Sequence, residues 1–199
     1  MPSTASEFLL RRREVVGKLL HDRGDRLVIG GLGSTAWDIT AAGDHDLSFP
    51  LWGAMGGTVA IGIGLATAQP DRRVLVVTGD GDMLMGMGSL ATAARQNLKN
   101  LTVCVFDNEH YGETGMQTTH TASGTNLAAI AAGCGFANSR QVETEDQLTE
   151  ALPLLRDGPG LQFVCIKVRA EKLAFVLPPK DGVFLKTRFR RALLGADVV

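Results

Sequence analysis

Two glycine-rich turns carry the residues of this chain whose types and spacing could do chemistry. The first turn, residues 79–82, reads Gly-Asp-Gly-Asp, and the second, residues 107–112, reads Asp-Asn-Glu-His-Tyr-Gly. Mg²⁺ prefers oxygen ligands and usually takes one or two of them from the protein, with phosphate oxygens among the others. Asp80 offers a carboxylate, Asn108 offers a neutral amide oxygen, and the backbone just beyond offers a carbonyl. The two turns therefore predict a site that holds Mg²⁺ against a diphosphate.

A β-α-β unit would bring these two turns together. Residues 74–78 and 101–106 are continuous apolar runs, which predict buried strands, and residues 83–97 between them have helical composition. The two strands should be parallel and adjacent, with a right-handed crossover, so both turns would lie side by side at the carboxyl edge of one sheet. A helix that begins near Asp82 would direct its amino end, with its free N–H groups, at the diphosphate.

The Gly-Asp-Gly turn, the helix after it and the asparagine that ends the next strand resemble the signature of thiamine-diphosphate enzymes. The resemblance implies an α/β, doubly wound fold with a mainly parallel sheet and helices on both faces, and it implies thiamine diphosphate and Mg²⁺ as cofactors. The implied metal ligands are the side chains of Asp80 and Asn108 and the backbone carbonyl of His110. The alternative is a pair of unrelated strand-to-helix turns in a doubly wound fold. The implied cofactor-binding residues are Gly33, Ser34, Gly53, Met55, Gly79, Asp80, Gly81, Asp82, Asn108, His110, Tyr111 and Gly112.

Residues 51–56 resemble the segment before a helix in pyruvate-decarboxylase-like members of this group. In those enzymes a glycine carbonyl receives the cofactor's 4′-amino group and a bulky apolar side chain wedges between its two rings, which implies these roles for Gly53 and Met55. Methionine suits a wedge because it is flexible and polarizable, and the alternative for Met55 is an ordinary core residue. A further glycine-rich turn, residues 30–35, implies a diphosphate pocket that includes Ser34.

Two positions depart from the family pattern. Asp82 stands where many relatives carry serine, and its charge would repel a diphosphate unless the side chain points away, caps the helix or reaches Mg²⁺ through water. Thr114 stands where pyruvate-decarboxylase-like relatives carry a catalytic glutamate, so that role is not inherited. His110 and His120 flank the loop and are candidate proton donors near neutral pH, and the alternative for each is a surface or structural imidazole.

The resemblance covers residues 1–199 as a single PP-type domain, the type that binds the diphosphate, with a tail at residues 170–199 that contains a closing helix. The PYR-type domain, which supplies the activating glutamate in such enzymes, is absent, so the resemblance implies a partner subunit on a separate chain and a hetero-oligomer with at least two copies. Residues 79–88 and 107–117 resemble the beta subunits of sulfopyruvate decarboxylases and the phosphonopyruvate decarboxylases. This implies non-oxidative decarboxylation of a small 2-oxo acid that carries a terminal anionic group.

Three other functions stay open at this point. The beta subunit of a 2-oxoacid:ferredoxin oxidoreductase has a similar cofactor loop, but many such chains carry iron–sulfur cysteines, whereas Cys104, Cys134 and Cys165 are widely spaced here. Half of a carboligating, transketolase-like enzyme is a second alternative. A non-catalytic assembly subunit that binds the cofactor is a third, although the intact pair of Asp80 and Asn108 favours an enzyme.

Composition predicts an ordinary soluble globular protein, because 45% of residues are hydrophobic and the net charge is -1. No basic excess suggests a nucleic-acid partner, and no apolar run approaches the roughly 20 residues that a membrane helix needs. The polar start predicts no signal peptide, and the few scattered cysteines favour a reducing cytoplasm. The arginines at 11–13 and the basic residues at 186–191 are interpreted as solvated faces of terminal helices.

The remaining elements follow from hydrophobic periodicity and turn chemistry. Thr144 is expected to cap a helix, with Gln147 completing a capping box. Residues 111–125 show neither a helical nor a strand period and are expected to form a loop that is either functional or disordered. Helices are expected at 4–23, 34–43, 58–68, 126–133, 143–156 and 184–194, and strands at 26–30, 46–50, 136–142 and 161–168.

Overall fold

A computed structural model describes residues 3–196 and shows one six-stranded parallel sheet with helices on both faces. A separate pair of two-residue strands forms a small antiparallel ribbon. The strands are β1 (Leu27–Gly30), β2 (Ser48–Pro50), β3 (Val74–Gly79), β4 (Leu101–Asp107), β5 (His110–Tyr111), β6 (Gln117–Thr118), β7 (Asn138–Val142) and β8 (Gln162–Lys167). The order in the main sheet is β2-β1-β3-β4-β8-β7, and β5 pairs with β6.

The helices divide between the two faces of the sheet. They are α1 (Arg12–Leu20), α2 (Ser34–Ala41), α3 (Thr58–Ala68), α4 (Asp80–Met85), α5 (Gly88–Gln96), α6 (Leu127–Cys134), α7 (Glu145–Asp157) and α8 (Gly182–Leu194). One core contains side chains of α3, α5, α6 and α8, and the other contains side chains of α1, α2 and α7. Val74 and Val76 of β3 face the first core while Leu75 and Val77 face the second, because strand side chains alternate between faces. The predicted doubly wound fold is confirmed.

The predicted β-α-β unit is confirmed, since β3 and β4 are parallel neighbours with Gly79 opposite Phe106. The single helix predicted between them is wrong. Two helices lie there instead, because α4 begins at Asp80 and a short interruption separates it from α5. A side-chain carbon at Gly86 would lie 2.1 Å from the carbonyl oxygen of Gly56. This close approach of two backbones accounts for the break.

Two other expectations from the sequence are wrong. The opening helix expected at 4–23 is a 3-10 turn, Ala5–Glu7, followed by α1 from Arg12. The loop at 111–125 contains β6 and two further 3-10 turns, Gly112–Thr114 and His120–Ser123. Elements of two to four residues are too short to produce a hydrophobic period.

Helix capping in the structure agrees with the prediction made from the side chains at the start of α7. Thr144 and Gln147 form the predicted capping box at the start of α7. The closing helix α8 begins two residues earlier than expected, since Asp181 accepts from the backbone N–H groups of Val183 and Phe184. The predicted domain and tail extend to residue 199, and residues 1–2 and 197–199 lie outside the described range.

The three cysteines are free thiols, as expected, with Cys104 and Cys165 buried in the sheet. Burial raises the pKa of both buried thiols above the ordinary value, so neither is poised for thiolate chemistry. Within residues 3–196, no helix combines the length and the apolar character that crossing a membrane requires.

Candidate active site

A cleft of about 690 Å³ opens at the carboxyl edge of the sheet, above β1, β3 and β4. The turn after β3, the loop after β4 and the first turn of α2 form its floor. Residues 168–175, which follow β8, form a further wall. Every predicted cofactor-binding residue lines this cleft except Gly33 and Gly53. The cleft lies where open α/β sheets generally bind their ligands.

Asp80 lies at the floor of the cleft and is the first residue of α4. Its side chain is buried, with 2% of the residue exposed, and it accepts a hydrogen bond of 2.6 Å from the Thr119 hydroxyl. The Thr121 hydroxyl oxygen lies 3.4 Å from the same Asp80 oxygen. Burial, reinforced by the nearby carboxylate of Asp107, raises the pKa of Asp80 to about 7. The free site therefore favours either a proton or a cation at Asp80.

Asp107, Glu109 and Lys167 form an ionic cluster behind Asp80, and sequence reasoning missed their part in the site. The Lys167 Nζ atom lies 2.9 Å from both carboxylates, and Thr121 donates to Asp107 at 2.8 Å. Although burial works against its charge, Asp107 and Glu109 raise the pKa of Lys167. Asp80 adds a third carboxyl group near Asp107 and has no ion pair with Lys167 among the described residues. The position of Asp107, last in a strand whose residues are all buried, was the available signal.

Two hydrogen bonds join Asn108 and His110 to each other within the loop after β4. The backbone N–H of His110 donates to the Asn108 side-chain oxygen at 3.0 Å, and the His110 ring Nδ1 donates to the Asn108 carbonyl at 2.8 Å. Glu109 between them has a φ of 60°, which turns the backbone sharply. His110 lines the cleft, whereas His120 lies in a separate hollow beside Leu84. The structure therefore brings only one of the two candidate histidines into the cleft.

Gly81 in the first turn of α4 is required by the ring of Tyr111. A side-chain carbon at this position would lie 2.5 Å from Cε1 of the ring and 3.3 Å from Cε of Met55. The backbone of the turn therefore forms part of the cleft surface directly. This arrangement fits a ligand that must approach backbone N–H groups closely.

Asp82 fastens the segment before α3 to the cleft. One of its oxygens accepts from the backbone N–H of Gly56 and the other accepts from the Thr78 hydroxyl. A helix-cap role for Asp82 is wrong, because Gly79 is the N-cap residue of α4. Met55, on the same fastened segment, is 39% exposed in the cleft wall, so the alternative of an ordinary core residue is also wrong.

An arginine pair forms the opposite end of the cleft, where the sequence predicted only a solvated helix face. Arg12 is 5% exposed, and its guanidinium donates to the Asp38 carboxylate and, at 3.3 Å, to the carbonyl of Ser34. Arg13 donates to the other oxygen of Asp38 at 2.9 Å. The solvated-face interpretation is wrong for Arg12, and its i+1 neighbour Arg13 is half-buried. A run of charged residues has no hydrophobic period, so the sequence does not show which arginine is buried.

The tail crosses this end of the cleft and is fixed at several points. The Phe175 ring packs edge-on against Trp37 with 4.4 Å between centroids, and Arg13 donates to the carbonyl of Ala174 at 2.9 Å. The indole N–H of Trp52 donates to the carbonyl of Pro179 at 2.8 Å. The tail therefore belongs to the cleft wall rather than to the periphery of the fold.

The residues at the acidic end fit Mg²⁺ and a diphosphate. The donors beside Asp80 are oxygen atoms, as hard cations prefer, and their negative charge exceeds that of Lys167. The bare backbone around Gly81 offers the surface that a phosphate group needs. Within the described part of the chain, no three His, Cys, Asp or Glu side chains group into a self-contained metal site.

Comparison with known proteins agrees with this geometry. The sequence profile of a family described as "Thiamine pyrophosphate enzyme, C-terminal TPP binding domain" matches residues 31–166, which include both turns and the cleft floor. The sulfopyruvate decarboxylase subunit beta of Methanothermobacter thermautotrophicus is 36% identical over 160 residues, covering 80% of this chain and 84% of that subunit.

Two further proteins extend the comparison. The phosphonopyruvate decarboxylase of Streptomyces hygroscopicus is 38% identical over 155 residues, which cover 77% of this chain and 38% of that longer protein. A solved thiamin diphosphate-dependent enzyme from Mycobacterium smegmatis superposes with a TM-score of 0.70 at 25% identity, over 86% of this chain and 33% of that one. The chain thus corresponds to one part of these larger enzymes.

Proposed function

This chain belongs to the thiamine pyrophosphate enzyme family, and we propose that it is the beta-type subunit of a split 2-oxo acid decarboxylase, a carboxy-lyase. The observation that carries the proposal is the pairing of Asp80 with Asn108 across adjacent strands, beside a bare glycine backbone. The same chain aligns with 84% of the length of a sulfopyruvate decarboxylase beta subunit. The family match supports thiamine diphosphate as the cofactor.

We assign Mg²⁺ to the acidic end of the cleft. The ligands would be the side chains of Asp80 and Asn108 and the backbone carbonyl of His110. The raised pKa of Asp80 supports a cation there, because a positive charge beside the carboxylate would offset the cost of its burial. The excess of carboxylates over Lys167 supports the same assignment.

The rest of the cofactor-binding set lies around that metal site. The first turn of α4 would receive the diphosphate on the backbone N–H groups of its glycines, with Asp82 engaged by Gly56 and Thr78. The remaining roles are proposed from the resemblance: Gly33, Ser34, Tyr111 and Gly112 beside the diphosphate, and Gly53 and Met55 beside the cofactor rings. Exposure of Met55 in the cleft wall supports its role.

The bound cofactor would supply the sink for the electron pair that stays on the substrate carbon when CO₂ departs, and the protein would orient the reactants. Tyr111 and Met55 close the space above Gly81 and would exclude water from it. His110 lines the cleft and is the proton donor that we propose on this chain, with its Nδ1 anchored to the Asn108 carbonyl.

A separate PYR-type subunit would complete the active site and supply the activating glutamate. The beta-subunit relatives support a partner on another chain. Exposed apolar side chains at Met55, Met85 and Phe175 line the cleft, as expected of a surface that another subunit covers. We propose a cytoplasmic hetero-oligomer with at least two copies of each chain, acting on a 3-sulfo- or 3-phosphono-pyruvate-like substrate.

The test is decarboxylation by the full chain co-expressed with a PYR-type subunit. Sulfopyruvate, phosphonopyruvate and pyruvate are each assayed for CO₂ release, with and without thiamine diphosphate and Mg²⁺. Cofactor-dependent release from an anionic 3-substituted pyruvate is the expected result. If the complex binds the cofactor and releases no CO₂ from any of the three acids, the decarboxylase assignment is wrong.

A further inference from the structure

The arginine pair at the far end of the cleft carries an unbalanced charge. Arg12 and Arg13 donate to the two oxygens of one carboxylate, Asp38, which is fully buried. Two guanidinium groups therefore share a single negative charge at a site where burial makes charges costly. A buried ion cluster that keeps an excess charge is suited to a ligand of the opposite sign.

The two arginines differ in what they face. Arg12 lines the cleft, and one of its nitrogens is placed beside the Ser34 carbonyl at the start of α2. Arg13 points its NH2 group at the Ala174 carbonyl in the tail. The excess positive charge is therefore presented to the cleft through Arg12, while Arg13 braces Asp38 from behind.

Other charges also line this end of the cleft, and Glu113 is the acid whose charge interacts with that of Arg12. Glu171 pairs with Arg11 at 2.7 Å, and Lys172 lines the cleft beside it. The remaining acid is Glu113, whose carboxylate oxygen lies 2.6 Å from the place that a side-chain carbon at Gly33 would occupy. The Glu113 carboxylate therefore lies at the turn next to Arg12.

Glu113 occupies that place as an exposed side chain on a short 3-10 turn. Burial raises its pKa above the ordinary value, and the positive charge of Arg12 acts in the opposite direction. A ligand with a stronger negative charge would bind at the same turn and displace it, because phosphate-type groups form more and stronger hydrogen bonds with guanidinium than a single carboxylate does.

We propose that Arg12 binds a phosphate-, phosphonate- or sulfonate-type oxyanion inside the cleft, with Asp38 and Arg13 fixing its orientation. The proposal rests on the proposed function and deepens it. Two sources share this chemistry: the diphosphate of the cofactor and the terminal anionic group of the substrate. Arginine fits either source, because its planar guanidinium offers paired N–H donors to such oxygens.

The test compares Arg12→Gln with Arg13→Gln in the full chain, alone and with a co-expressed PYR-type subunit. The two variants lose the same charge from the same carboxylate partner, but only the first loses a group that lines the cleft. Circular dichroism and thermal unfolding first establish that both variants are folded. Calorimetry then measures binding of inorganic diphosphate with Mg²⁺, and of 3-sulfopropanoate, with propanoate as the blank that lacks the sulfonate.

Arg12→Gln is expected to weaken binding of one probe by about 10- to 100-fold, the range of a charge-assisted hydrogen bond. Arg13→Gln acts only through Asp38 and is expected to weaken binding by no more than about threefold. A loss confined to diphosphate identifies the cofactor as the source, and a loss confined to 3-sulfopropanoate identifies the substrate. Equal losses in both variants, no loss in Arg12→Gln, or no binding of either probe by the wild type would overturn the proposal.

The outcome is independent of the decarboxylation test. A complex that decarboxylates none of the three 2-oxo acids, yet loses probe binding only in Arg12→Gln, keeps the oxyanion site and loses the proposed activity. A complex that decarboxylates sulfopyruvate while Arg12→Gln binds both probes normally keeps the activity and loses the oxyanion site.

Discussion

The cleft has two buried ion clusters, one rich in carboxylates and one rich in guanidinium groups. At the acidic end, Asp107 and Glu109 share the ammonium group of Lys167, and the Asp80 carboxyl lies near Asp107. At the basic end, two arginines share the carboxylate of Asp38. A cluster built only for stability would be expected to balance its charges, because uncompensated buried charge is costly. This difference is the basis for our proposals that a cation completes one cluster and an oxyanion the other.

The largest expected difference between the two ends concerns stability. Lys167→Met removes the cation that pairs with Asp107 and Glu109 and should lower the free energy of unfolding by about 3–5 kcal/mol at pH 8. Arg12→Met should cost less, because Asp38 keeps the hydrogen bond from Arg13. Urea denaturation of the metal-free chain measures both values. Equal losses of unfolding free energy in the two variants would show that the clusters do not differ in their dependence on a single cation.

A second difference concerns pH. Asp80 has a pKa of about 7 in the fold against an ordinary 3.8, so the folded chain retains a proton there up to about pH 7. This group alone should make the metal-free chain less stable as pH rises from about 4 to about 7. Mg²⁺ must displace that proton, so Mg²⁺-dependent cofactor affinity should fall as pH drops below 7.

Calorimetric titration of thiamine diphosphate at pH 6, 7 and 8 measures that dependence. The Arg12→Gln variant serves as the control, because it alters the basic end and leaves Asp80 in place. Its affinities should shift by one constant factor across the three pH values. A wild-type affinity that is the same at pH 6 and pH 8 would contradict the assignment of the metal to Asp80.

A smaller effect is expected from the hydrogen bond that supports Asp80. Thr119→Val removes the 2.6 Å donor and should weaken Mg²⁺-dependent cofactor binding by about tenfold. Thr118→Val, at an exposed position one residue earlier, is the matched control and should have no effect on affinity. If the two variants bind the cofactor equally well, the threonine does not support the metal site.

The smallest expected effect separates stability from ligand binding. Thr144→Ala removes the capping box of α7, whose residues do not line the cleft, and should cost about 1 kcal/mol of stability. Cofactor affinity should stay at the wild-type value, as measured by the same titration. A loss of affinity in this variant would mean that stability losses alone weaken binding, and the other variants would have to be judged against it.

The sequence was informative wherever a short motif or a hydrophobic period fixed the local structure. Asp80 and Asn108 could be predicted because a glycine-rich turn must follow each buried strand, and the adjacency of β3 and β4 followed from the crossover rule. The α3 helix was predicted with its bounds because its small residues are continuous. The capping box of α7 was equally visible, since its two residues are local partners.

The remainder of the site depends on contacts between residues far apart in the chain. Lys167 reaches Asp107 and Glu109 from β8, and Arg12 reaches Asp38 from α1, and neither contact has a local sequence signature. The break between α4 and α5 depends on the approach of Gly56, which is also distant. Such partners become visible only when the fold has placed their elements together.

The most direct test of the central claim is a titration of thiamine diphosphate into the full chain with its partner subunit, with and without Mg²⁺. It compares the wild type with Asp80→Asn, which keeps the shape of the side chain and removes its charge. We predict Mg²⁺-enhanced binding in the wild type and, in the variant, binding no stronger than without Mg²⁺. Equal Mg²⁺-enhanced binding in both proteins would contradict the account.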